Sequence, residues 1–188
     1  MGDDAMNGLH AILILATAFA AVFFEATFDG FRHVLGAQID LLPALMVYTG
    51  LSNGLVTITL AAVCGGFWFD SLSANPLGVS VLPLLLIGML ANRGREWLAR
   101  EDLGAQFFLG AAASGFQPLA VLFILLNIGA LPLVGWISLW QWLVMTIGGG
   151  LFAPVCFKLF QRFHRAFEYP PAAQSSFRPD REIKRGRS

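Results

Sequence analysis

Few side chains in this chain are equipped for chemistry, and the notable ones are acids. Glu25 and Asp70 lie within or at the edge of long apolar runs, where an ionisable group is costly and marks a functional position by default. Glu25 stands three residues before the end of its run and Asp70 closes another, so both can reach interfacial water, while a deeper seat for Asp40 or Asp70 is left open. Their first role is structural: a helix end, a packing contact or a hydrogen bond within a bundle. Holding a proton or a ligand is the other. No basic residue lies in the body of a span to pair with them. His10, His33 and His164 stand near run ends and far apart, as expected of interfacial side chains. Cys64 and Cys156 sit in apolar runs with no partner of metal-ligand spacing, and read as small buried side chains. There is no Walker loop, no dinucleotide fingerprint and no paired-aspartate pattern of lipid head-group transferases. No catalytic residue, metal site, cofactor or nucleic-acid partner is expected.

The elements that hold these residues are membrane helices. The 188-residue chain is 56% hydrophobic and only 13% charged, against roughly 25% charged in a soluble domain. A bilayer core takes about 20 apolar residues as a helix. The runs predict six helices, at approximately 8–28, 41–51, 55–69, 76–91, 104–128 and 139–167. The fold class is therefore an all-α integral membrane protein, with about six transmembrane helices in a single bundle over 1–167. The three runs between 41 and 91 are short, so re-entrant or tilted segments are open there. The first run lacks a basic leader and a cleavage site after it, which marks a retained helix, not a signal peptide. Residues 168–188 carry Pro170, Pro171 and Pro179 among charges and serines, and read as a disordered basic tail.

Charge placement orients the bundle. All but Arg32 of the 12 basic residues fall between 93 and 100 or from 158 onward. Six spans put those two segments on one side, and the positive-inside rule makes that side cytoplasmic, together with the N-terminus. Phe157, Phe160, Phe163 and Phe167 recur at helical spacing with Lys158, Arg162 and Arg165 between them. Such a helix leaves the membrane with its basic heads at anionic lipid phosphates; docking of a cytoplasmic partner is the alternative. Gly110 with Ser114, Ala111 with Gly115, and Gly149 with Ala153 are small residues one turn apart, suited to close helix approach within the bundle or to a partner helix. Pro83, Pro118 and Pro154 lie inside runs, where each removes a backbone hydrogen bond.

One stretch resembles a known family. An apolar helix through Cys64-Gly65-Gly66-Phe67-Trp68-Phe69 ends at Asp70, a short loop follows, and Pro76-Leu77-Gly78 opens the next run. This resembles the rod shape-determining protein MreD family. The short run led by Asp40-Leu41-Leu42 and the basic, aromatic end of the last helix also agree. On its own physics the motif is a tight hairpin: Pro76 suits a first helical turn, Ser73 or Asn75 a cap, and Asp70 can accept from free amides at the next helix start. The resemblance implies a six-helix bundle similar to the substrate-binding subunits of energy-coupling-factor transporters. It implies a non-enzymatic role in bacterial cell elongation, scaffolding or regulating sidewall peptidoglycan synthesis at the inner membrane. The implied partners are MreC, MreB, RodA and a class B penicillin-binding protein, with Asp70, Pro76, Leu77 and Gly78 as the candidate interface or structural hairpin. The alternative is a substrate-binding subunit of a vitamin or metal transporter. The tail after Phe167 departs from typical members.

Overall fold

Every apolar run folds as a helix, and one further short helix fills a polar turn. The computed structural model describes residues 2–28, 30–73, 75–95, 102–130 and 135–167. The helices are α1 (Gly2–Thr27), α2 (Gly30–Leu35), α3 (Leu42–Ser52), α4 (Leu55–Leu72), α5 (Val81–Gly94), α6 (Leu103–Asn127) and α7 (Trp136–Phe167). Helices α4, α6 and α7 are long and apolar enough to cross a membrane; Ala11–Thr27, α3 and α5 are shorter apolar helices. Large apolar side chains face outward along most of them, for example Phe19, Leu60, Phe123 and Leu151. A chain with this surface is a multi-pass membrane protein, since water would leave those groups without a favourable solvent. The tail 168–188, Arg100 in the charged loop, Pro132 in the last connector, and the side chains of His10, Arg32, His164, Arg165 and Phe167 lie outside the described residues.

Three features differ from the sequence expectation, the first being that α1 begins at Gly2, six residues ahead of the expected start at 8. The polar turn after α1 contains α2, a helix of six residues. The fourth long run begins its helix at Val81, not at Pro76. Residues 77–80 form a turn instead, and Gly78 in it takes φ +90°, a left-handed conformation that ends any helix attempted from Pro76.

Helix α3 is the axis of the bundle. Ten of its 11 residues, Leu42 to Leu51, are buried, the pattern of a helix with protein on every side. At 1.5 Å per residue it is about 16 Å long, half of a bilayer core. Neighbouring contacts give the directions of the helices around it. A methyl at Gly65 would meet Leu42 and Ala18, while Phe19 lies edge-on to Trp68 with ring centroids 5.3 Å apart. Helices α1 and α4 thus run together, with α3 opposed. Met46 and Gly50 pack against Gly88 and Ala91 of α5, and Tyr48 stacks on Phe160 of α7 at 4.4 Å. So α3, α5 and α7 run the same way. The C-terminal ends of α5 and α7 therefore share one end of the bundle, bringing exposed Arg93 and Arg95 to the same end as exposed Lys158 and Arg162. The opposite end holds Glu25, Asp40 and Asp70.

Candidate functional site

Glu25 and Asp70 do not reach water from their run ends, and Asp40 and Asp70 take the deeper seat that the sequence leaves open. Glu25 is 9% exposed, and Asp40 and Asp70 are 2% exposed each. Two of them meet at the start of α3. Its N-cap residue, Leu41, has no side-chain acceptor of its own, so the free amides of this helix start need outside partners. Glu25 Oε1, from the last turns of α1, accepts from Leu41 N–H at 2.5 Å. Asp40 Oδ1 accepts from Leu42 N–H at 2.9 Å. Pro43 follows and has no N–H to satisfy. Two carboxyls thus hang on consecutive amides at the positive end of a helix dipole, which favours negative charge.

Helix α6 completes the network. Gln117 is 2% exposed and donates from Nε2 to Asp40 Oδ2 at 2.6 Å. Gln38 donates to the Glu25 main-chain carbonyl at 3.2 Å, satisfying an acceptor at the end of α1. Two atoms stay without a partner: Glu25 Oε2 and Gln117 Oε1. Neither Gln117 nor Asp40 was singled out as a site residue from sequence. Asp40 was visible as the acid leading the second run, but nothing in the spacing tied it to a glutamine 77 positions away.

Asp70 organises the α4–α5 hairpin. Its Oδ2 accepts from both Gly78 N–H, at 2.8 Å, and Ser80 N–H, at 3.0 Å. The motif residues divide by orientation: Asp70 points inward, while Pro76 and Leu77 are exposed on the outer side of the loop. Pro76 contributes a carbonyl that accepts from Val79 N–H, and Ser73 Oγ accepts from Asn75 N–H within the loop. Neither Ser73 nor Asn75 caps α5; Asp70 serves that end of the hairpin. The hairpin is tight because Gly66 lets α5 begin against α4, where a methyl would stand 2.9 Å from the Val81 backbone nitrogen.

The small residues all serve one internal contact, α6 on α7. A methyl on Gly110 would approach Gly149 O to 2.7 Å, and one on Gly149 would overlap the Ser114 hydroxyl. Ala111 bounds Gly150, Gly115 faces Thr146, and Ala153 packs on Gly110. The Trp142 indole N–H donates to Gly115 O at 2.9 Å across the same contact. Beyond it, toward the acidic end, the two helices part into a groove of about 640 Å³ lined by Pro118, Leu122, Leu139, Trp142 and, from the hairpin loop, Asn75. Among the described residues no group of three or more His, Cys, Asp or Glu side chains has the proximity to hold a metal ion. Cys64 and Cys156 are free thiols.

No family model, curated protein or solved structure matches this chain.

Proposed function

We propose that this protein is a non-enzymatic component of the bacterial cell-elongation machinery in the inner membrane, scaffolding or regulating sidewall peptidoglycan synthesis. The observation that carries the reading is the hairpin. The Asp70 to Gly78 motif, the specific part of the MreD resemblance, belongs to one hairpin, with Asp70 bonded to it from inside and Pro76 and Leu77 left on its outer face. A rigid loop with an exposed apolar tip is suited to contact another membrane or periplasmic protein, and needs no reactive group to do so. The basic end carrying Arg93, Arg95, Lys158 and Arg162 faces the cytoplasm in this reading, and the hairpin faces away from it.

The partners in this reading are MreC, MreB, RodA and its class B penicillin-binding protein. The test is in-cell crosslinking of a tagged chain, gentle solubilisation, and identification of the recovered proteins by mass spectrometry. Recovery of these partners from wild type, and their loss from Leu77→Arg with expression unchanged, is the expected result. Equal recovery from Leu77→Arg removes the hairpin tip from the interface. A second reading, a substrate-binding subunit of an energy-coupling-factor transporter, draws on the groove between α6 and α7. Recovery of paired ATP-binding-cassette subunits would replace the scaffold with that transporter role.

A further inference from the structure

The buried acids at the start of α3 do not balance as two anions. Asp40 has a donor on each oxygen: Leu42 N–H on Oδ1 and the Gln117 amide on Oδ2. Glu25 has a donor on Oε1 alone, and Oε2 is buried without one. The other unpartnered atom of the network is also an acceptor, Gln117 Oε1, on the same amide that reaches Asp40. Two acceptors without donors in a desolvated site call for one added positive charge or hydrogen.

The surroundings supply no positive side chain among the described residues, which do not include the Arg32 side chain. Among the described residues, α1 brings only Glu25 to the site, and the link to α3 brings Asp40. Helix α3 brings backbone amides, and its Tyr48 is stacked on Phe160 two turns away. Helix α4 brings Asp70, whose Oδ1 also lacks a donor but whose Oδ2 takes two hairpin amides and which has no second carboxyl on adjoining amides, as Glu25 has in Asp40. Helix α6 brings the neutral Gln117, and at this level α7 packs Gly148 against Ile39. His33 on α2 is exposed, and Lys158 lies exposed near the opposite end.

We propose that the bundle binds one proton at the Glu25 carboxyl, with the O–H on Oε2 shared to Gln117 Oε1 and Asp40 the ionised member. The proton is taken from water and returned to it, and no other bond is made or broken. One hydrogen then satisfies both orphan atoms, and a single negative charge remains where three donors converge on the two carboxyls. The site joins α1, α3 and α6, so its occupancy is coupled to how those three helices pack.

Infrared difference spectroscopy of the full-length protein in lipid nanodiscs tests it at neutral pH. The C=O stretch of a protonated carboxylic acid is expected in wild type. It should vanish in Glu25→Gln, which keeps the Oε1 acceptor for Leu41, and persist in Asp70→Asn. Gln117→Leu should keep the band but move its frequency, because the acceptor of the O–H is gone. A wild-type spectrum without the band, or a band that survives in Glu25→Gln, overturns the proposal. An unmoved frequency in Gln117→Leu overturns the sharing with Gln117. Thermal stabilisation by sodium chloride over choline chloride at equal ionic strength, abolished by Glu25→Gln, would assign the charge to an alkali ion and overturn the proton.

Discussion

Replacing Asp70 by Ala and by Asn should give very different proteins. Both hairpin amides, Gly78 N–H and Ser80 N–H, donate to the same oxygen, Oδ2, and Oδ1 has no partner. Alanine removes the only acceptor for two amides in a place that is 2% exposed at Asp70. A buried donor left unsatisfied costs about 1–3 kcal/mol, so two give a loss of about 3 kcal/mol once partial relaxation toward solvent is allowed. Asparagine can set its carbonyl oxygen where Oδ2 stands and keep both bonds. It forfeits only the charge assistance, roughly 1 kcal/mol. Reversible unfolding in mixed detergent–SDS micelles, followed by tryptophan fluorescence, reads the difference. An Asn variant as damaged as the Ala variant would mean that the charge of Asp70, and not its acceptor geometry, holds the hairpin. An Ala variant equal to wild type would mean that the hairpin stands without it.

Three further outcomes follow from other contacts. Gly149→Ala should destabilise by about 2 kcal/mol through overpacking, because its methyl overlaps Ser114; adding Ser114→Gly should recover most of that in a double-mutant cycle, since Ser114 Oγ has no hydrogen bond to lose. Gln117→Leu should cost about 2 kcal/mol in the same unfolding assay, because Asp40 Oδ2 loses its donor at 2.6 Å. Lys158→Ala with Arg162→Ala should weaken stabilisation by added phosphatidylglycerol by about 1 kcal/mol per charge, with little change in phosphatidylcholine.

Helix content was legible because the signal is local. Apolar runs without charges predict helices wherever backbone groups must be satisfied without water, and the six runs reappear as α1 and α3 to α7. The small residues were legible for the same reason, since their one-turn spacing marks a close helix face. Their partner was not: nothing in the spacing of Gly110 and Ser114 says that Gly149 and Ala153 lie opposite, although each alone marks a face able to receive another. The hairpin was half legible. Asp70 and Gly78 were visible as a motif, but Pro76 looked like a helix start, and only the backbone conformation at Gly78 delayed α5 to Val81.

By itself the sequence determined the solvent and the segments, because hydrophobicity and charge are summed along the chain and need no partner to be read. It also brought two basic stretches to one end, since the parity of six helices decides that. Only the tertiary structure decided the fate of the acids. Glu25 and Asp70 stood near run ends, which reads as access to water, but other helices close over those ends. Whether a carboxylate meets solvent, a backbone amide or Gln117 depends on which surfaces pack together, and that information lies in pairs of residues far apart in the chain.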